Sequence, residues 1–114
     1  MAYLKIGDWE IHASGRQMKL EIRRIDEIGR ISGKLDGRAI SGWWNERAAR
    51  LTFVVDADGE HSSDDRAYAG YAWDEPADPG SVRSYYLAGS YDTFGGGGGA
   101  KDRETFGWFA TLSR

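Results

Sequence analysis

The sequence predicts an all-β protein, an eight-stranded antiparallel up-and-down meander barrel, with a β-sandwich as the alternative. Apolar residues recur at every second position in short runs, and glycine or aspartate separates the runs. This alternation is typical of half-buried strands. The composition agrees, since it combines 16 Gly with five Trp, six Tyr and four Phe but only two Pro. A closed barrel is favoured because closure removes exposed sheet edges.

The first half of the chain begins with one clear strand and one ambiguous segment. The clear strand alternates over residues 9–13 and ends at Ser14-Gly15. In the segment 16–28, Met18, Ile22 and Ile25 also fit one stripe of a helix. Leu20 lies off that stripe and glycines confine the segment, so a second strand is predicted over residues 18–22.

A hairpin is the clearest local prediction. Asp36-Gly37 is typical of a two-residue type I′ turn between two strands. The turn fixes the register, in which small residues lie opposite large ones. The same register places Trp43 across from Arg30, where a cation–π contact can form. The predicted cross-strand pairs are Leu35 with Arg38, Gly33 with Ile40, and Ile31 with Gly42.

Four more strands are predicted in the second half of the chain. Breaker-rich connections separate them, and the longest runs from Asp92 to Arg103 with five consecutive glycines, Gly95 to Gly99. Sequential strands with short connections and no helix are consistent with one barrel domain over residues 1–114. The four strands are Leu51 to Val55, Tyr68 to Trp73, Val82 to Tyr91, and Thr105 to Leu112.

Charge and composition bear on the class of partner. The formal net charge is −3 and the sequence pI is near 5.3. Such a balance offers no basic field, so we expect neither nucleic acid nor a membrane surface as a partner. The chain has no Cys, which leaves no disulfide and no thiolate site. The N-terminal residues lack a signal-peptide pattern, so a cytoplasmic location is expected.

Several short segments resemble the avidin and streptavidin-like barrels. They are Gly7-Asp8-Trp9, Met18-Lys19-Leu20, Gly29-Arg30-Ile31-Ser32-Gly33, the run from Ser84 to Asp92, and Gly107-Trp108. The resemblance implies a small barrel fold. It does not extend to the biotin site, because Ile11, Gly15 and Leu35 stand where that family has polar residues that hold the ligand.

Three sequence features that suggest chemistry are better explained as structure. The glycine run before Ala100-Lys101-Asp102 lacks the residues of a phosphate-binding loop, so a flexible hairpin loop is predicted. The acidic residues between Asp56 and Asp65 do not follow the order of a calcium-binding loop and are expected to be solvated. His12 and His61 lack the partners that a metal site or a catalytic triad requires. We therefore predict no cofactor, no metal and no catalytic residue.

The aromatic residues supply the candidate site. Trp9, Phe53 and Trp108 are assigned to the inner face with Trp44, where they fill a core. Tyrosine and tryptophan near strand ends can instead line a barrel mouth and bind a flat or sugar-like ligand. We expect a mouth framed by the loops Glu75 to Gly80 and Asp92 to Arg103, with the second loop as a lid. The predicted ligand-binding residues are Tyr71, Trp73, Tyr91, Trp108 and Trp44.

The function expected from these features is binding of a small molecule or of a partner, without catalytic activity. Two alternatives remain open at this point. One is a small barrel enzyme of the isomerase or cyclase type. The other is a structural protein that forms homo-oligomers through an exposed aromatic face.

Overall fold

Eight antiparallel strands follow one another around a closed barrel, β1-β2-β3-β4-β5-β6-β7-β8. A computed structural model describes residues 4–55, 66–75, 83–93 and 104–112. The predicted up-and-down barrel is confirmed, and the sandwich alternative is excluded because β1 pairs with β8. The strands are β1 Gly7–Ala13, β2 Arg16–Ile25, β3 Arg30–Leu35, β4 Arg38–Asn45, β5 Arg50–Val55, β6 Arg66–Glu75, β7 Ser84–Thr93 and β8 Glu104–Leu112.

The up-and-down order divides the connections between two ends of the barrel. We call the end that carries Ser14-Gly15 and Asp36-Gly37 the tight-turn end; β5 and β7 also finish there. The other end, which we call the opposite end, carries the connections 26–29 and 46–49. Both tight turns have positive φ at each residue, 51° and 75° for Ser14 and Gly15, 48° and 84° for Asp36 and Gly37. These angles match the type I′ turn predicted for the hairpin.

The register of the β3–β4 hairpin is the predicted one. Leu35 pairs with Arg38, Gly33 with Ile40 and Ile31 with Gly42. Arg30 pairs with Trp43, and its guanidinium carbon lies 5.4 Å from the centroid of the indole ring. The ambiguous segment before this hairpin is a strand over its whole apolar length, with a register shift between Ile22 and Arg24.

The core lies inside the barrel and is formed by the alternate residues of all eight strands. Trp9, Phe53, Trp108 and Trp44 are all buried, as the alternation predicts. Among the described residues, no polar or charged residue is classed as fully buried. The interior therefore consists almost entirely of aliphatic and aromatic side chains, which supply the burial that stabilises the fold.

Most strands are longer than predicted, and the causes of two of these extensions, in β6 and β7, can be identified. β6 begins two residues before Tyr68, and β7 continues two residues beyond Tyr91. Pairing explains both extensions, since Arg66 pairs with Thr93 and Thr93 pairs with Glu104. Within the described ranges there is no helix, so none is long and apolar enough to cross a membrane.

Candidate functional site

The five residues predicted to bind a ligand lie in two separate environments. Tyr91, Trp108 and Trp44 are inside the barrel, with 5%, 4% and 8% of their surface exposed. Tyr71 and Trp73 are on the outside, with 57% and 42% exposed. Residues that alternate along a strand point to opposite faces of the sheet, which separates the two groups. The structure therefore does not bring the five residues together in one site.

The predicted mouth also requires correction. The connection before β7 leaves from one end of that strand, and the connection after it leaves from the other. A single mouth cannot be framed by both, because the ends of a strand of this length are roughly 30 Å apart. Residues 76–82 and 94–103 lie outside the described residues, and so do the predicted lid glycines, the acidic segment 56–65 and His61.

Stacked aromatic rings fill the middle of the barrel. The ring of Tyr68 stacks on Phe53 and on Tyr91, with 4.7 Å between centroids in each case. The Trp108 ring packs edge-on against Phe53 and Tyr68. Its indole N–H donates to the carbonyl oxygens of Ala69 at 3.3 Å and Ser90 at 3.0 Å. Tyr91 and Trp108 thus serve the core, and the aromatic layer separates the cavities at the two ends of the barrel.

The tight-turn end carries three arginines, which we call the arginine mouth: Arg16, Arg38 and Arg66. Each is the first residue of its strand, in β2, β4 and β6. Each also stands two residues before an inward side chain, so alternation directs all three towards the barrel axis. They line a cavity of about 360 Å³ whose apolar lining is Met18, Leu35 and Val55.

The described residues of the arginine mouth carry an excess of positive charge. None of the three guanidinium groups forms an ion pair with another described residue. Among the described residues that line the cavity, Asp36 supplies the one carboxylate. That carboxylate already accepts a hydrogen bond from the backbone N–H of Lys19 at 2.9 Å. The arrangement can bind an anion, because guanidinium groups are well suited to carboxylates and phosphates.

A tyrosine hydroxyl lies beneath this charged layer. Tyr68 is 2% exposed, and its hydroxyl hydrogen has no acceptor among the described residues. Burial raises the pKa of the Tyr68 phenol above its ordinary value of 10.0, while a side-chain hydrogen bond from Arg66 and the charges of Arg66 and Arg16 act to lower it. The group is therefore a neutral hydrogen-bond donor at neutral pH. The neighbouring Tyr91 differs, since its hydroxyl is hydrogen-bonded to Ser14 Oγ.

The opposite end carries a cleft of different chemistry. It has a volume of about 570 Å³ and is lined by Trp44, Ile28, Glu27 and Glu46 among others. Asp26 also lines it, but one oxygen of that carboxylate accepts the backbone N–H groups of Ile28 and Arg30 at 3.1 and 2.8 Å. Arg47 also lines the cleft, so its described lining has more acidic than basic groups, whereas the described lining of the arginine mouth has more basic than acidic groups.

The outer wall holds the remaining sequence candidates. His12 lies 2.9 Å from a carboxylate oxygen of Glu10, and its ring stacks on Phe109 at 4.6 Å. Trp73 stacks on Tyr86 at 5.4 Å on the same side of the sheet. Over the part of the chain that the structure describes, no three His, Asp or Glu side chains lie close enough to hold a metal ion. His12 and Trp73 therefore each pack against a neighbouring aromatic ring on the outer surface of the barrel.

Comparison with protein-family models, with curated proteins and with solved structures finds no match to this chain. The fold and the site therefore define its class by geometry alone. That class is a small closed β-barrel with an aromatic interior and a basic mouth at one end.

Sequence reasoning missed the arginine mouth although its signal was present. Arg16, Arg38 and Arg66 each extend the inward alternation of a predicted strand by one step before its first inward apolar residue. All three begin strands that start at the same end of the meander. The same alternation, continued to the polar residue at the start of each strand, predicts that the three arginines face the barrel axis at one end.

Proposed function

We propose that this chain is a binding module without catalytic activity and that its ligand carries a negatively charged group. The observation that carries the proposal is the arginine mouth, where Arg16, Arg38 and Arg66 line one cavity without an ion-pair partner among the described residues. The net charge of the chain is −3, so a basic mouth is a local feature rather than a consequence of overall composition. Its volume of about 360 Å³ suits a small molecule.

The charges favour an anion for a simple physical reason. Like charges placed together repel one another, and this repulsion is relieved when an anion binds between them. The lining is partly apolar as well, with Met18 and Val55 beneath the guanidinium groups. A ligand that combines an anionic group with a small apolar body would use both parts of the cavity.

Calorimetric titration with inorganic phosphate and with benzoate tests the proposal. Arg16→Gln and Arg66→Gln should each weaken binding of at least one of these anions by about tenfold or more, since charge-assisted hydrogen bonds are lost. Arg50→Gln is the matched control, because Arg50 is an exposed residue at the start of β5, at the opposite end. Absence of binding by the unmodified chain, or equal losses in all three variants, would contradict the proposal.

The avidin-like resemblance enters this proposal only through the architecture. Ile11 and Leu35, which stand where that family has polar ligand-binding residues, are buried apolar residues here, 0% and 3% exposed. An uncompensated polar ligand group against them would lose its hydrogen bonds to water. The proposed ligand is accordingly one whose charged group binds arginine side chains rather than polar groups at these two positions.

Self-association is a second candidate function, favoured by the outer wall of β4 to β7. Small outward residues there line a shallow groove together with the exposed Trp43, and the exposed Tyr71 lies two residues beyond Ala69 on the same face of β6. Exposed apolar patches of this kind often mark interfaces. Light scattering should then give a mass above 12.7 kDa that Tyr71→Ser lowers and Lys34→Ser does not. A monomeric mass for the unmodified chain would rule this candidate out. The small residues of the groove are Thr52, Ala67, Ala69 and Ser90.

A further inference from the structure

The buried hydroxyl of Tyr68 narrows the chemistry of the ligand. Its oxygen is shielded from solvent, and its hydrogen has no acceptor in the described part of the chain, because the nearby Arg66 side chain can only donate to it. A buried donor without an acceptor is unfavourable, because the hydrogen bond to water is lost and nothing replaces it. The stacked neighbour Tyr91 has no such deficit, since its hydroxyl is hydrogen-bonded to Ser14. Of these two stacked tyrosines, only Tyr68 therefore lacks a hydrogen-bond acceptor for its hydroxyl group among the described residues.

The position of this hydroxyl ties it to the arginine mouth. Tyr68 is on the same face of β6 as Arg66, two residues further along the strand. Arg66 acts on the phenol through a side-chain hydrogen bond and its charge, and Arg16 acts through its charge. The hydroxyl lies beside these guanidinium groups, just outside the lining of the cavity, where it is an additional donor for an oxygen that the two arginines hold.

The charge of the cavity indicates the charge of the ligand. Among the described residues, the lining contains three guanidinium groups and one carboxylate, which leaves two positive charges. A phosphate monoester carries close to two negative charges at neutral pH and has three terminal oxygens that accept hydrogen bonds. A monocarboxylate supplies one charge and two oxygens. A phosphodiester supplies one charge, and both of its ester oxygens carry substituents.

We infer that the anion of the proposed function is a small phosphate monoester, an inference that rests on that function. Its terminal oxygens bind Arg16 and Arg66, and one of them accepts a hydrogen bond from the Tyr68 hydroxyl. Arg16 is exposed and long, so its side chain can rearrange onto the phosphate and open the way to the hydroxyl. The organic part of the ligand then lies against Met18, Leu35 and Val55.

Calorimetric titration with three probes of similar size tests the inference. The probes are phenyl phosphate, methyl phenyl phosphate and benzoate, which represent a monoester, a diester and a carboxylate. The unmodified chain should bind phenyl phosphate at least about tenfold more tightly than either of the others. Tyr68→Phe, which keeps the stacked ring and removes only the oxygen, should weaken phenyl phosphate about tenfold and leave the other two nearly unchanged.

Tyr91→Phe is the matched control. It removes a hydroxyl from the same aromatic stack, but one that already has a partner in Ser14. This variant should unfold at a lower temperature than the unmodified chain and bind phenyl phosphate within about twofold of it. Tyr68→Phe should show the reverse pattern, with its unfolding temperature unchanged or raised.

The outcomes separate this inference from the function on which it rests. If no probe binds, the anion-binding function fails and the inference fails with it. If benzoate or the diester binds as tightly as phenyl phosphate, the function stands and the phosphate monoester is wrong. Equal losses of affinity in Tyr68→Phe and Tyr91→Phe would also overturn the inference, because the effect would then come from the stack as a whole.

Discussion

At the scale of single residues, the face of the strand decides what an aromatic side chain does. Tyr68 and Tyr71 are three residues apart on β6, yet the first is 2% exposed and the second 57%. Alternation correctly predicts the inward Trp9, Phe53 and Trp108. The five predicted ligand-binding residues do not converge, because nearness to a strand end does not determine the face of the sheet on which a side chain lies.

Gly42 shows how tightly the inner face of the hairpin is packed. A Cβ atom added there would lie 2.0 Å from the carbonyl oxygen of Thr52 and 2.7 Å from the Cβ of Phe53. Gly42→Val should therefore lower the free energy of unfolding by about 2–3 kcal/mol. Ser41→Val, on the exposed face, should change it by about 0.5 kcal/mol or less. Urea denaturation of both variants measures the difference, and equal losses would mean that the faces are reversed.

The Tyr68 phenol should make the stability of the fold sensitive to alkaline pH. Burial raises its pKa in the folded state above the ordinary value of 10.0. The folded state then holds this proton more strongly than the unfolded state, so the contribution is present below pH 10 and is lost as the pH rises above it. Unfolding followed from pH 8 to pH 11 should show a steeper loss of stability in the unmodified chain than in Tyr68→Phe. Parallel curves would contradict this assignment.

At the scale of elements, the β3–β4 turn depends on one aspartate in two ways. Asp36 has a φ of 48°, and its carboxylate accepts the backbone N–H of Lys19 on the neighbouring β2. Asp36→Ala should lower the free energy of unfolding by roughly 1–2 kcal/mol, since alanine tolerates this conformation poorly and offers no acceptor. Asp36→Asn keeps both properties, so thermal unfolding should place it close to the unmodified chain. A similar loss in both variants would assign the effect to charge alone.

The limits of the elements were harder to predict than their existence. The apolar pattern locates every strand, and the turn residues fix the register of β3 against β4. β7 nevertheless continues through Asp92 and Thr93, which no apolar alternation predicts. These residues are strand because both adjacent strands pair with them. A local sequence pattern does not contain that information, since it comes from neighbours that are distant along the chain.

At the scale of the whole molecule, closure creates the candidate site. Arg16, Arg38 and Arg66 span fifty residues of sequence and belong to three strands that do not pair with one another. They share one cavity because every second strand of an up-and-down barrel begins at the same end. The composition of the chain argues against partners that carry phosphate groups, because the net charge of −3 conceals this local concentration of positive charge.

The concentration of like charge gives a prediction about stability and ligand together. In chloride buffer, Arg66→Gln should unfold at the same temperature as the unmodified chain or higher, because it relieves repulsion between guanidinium groups. Replacing chloride with phosphate at equal ionic strength should raise the unfolding temperature of the unmodified chain, since a ligand that binds only the folded state stabilises it. The rise should be clearly smaller in Arg66→Gln and undiminished in Arg50→Gln. Phosphate also stabilises proteins generally through exclusion from their surfaces, and this effect would act on all three chains alike. Differential scanning calorimetry of the three chains separates binding at the arginine mouth from this general effect. An equal rise in unfolding temperature in every chain would show that phosphate does not bind at the arginine mouth.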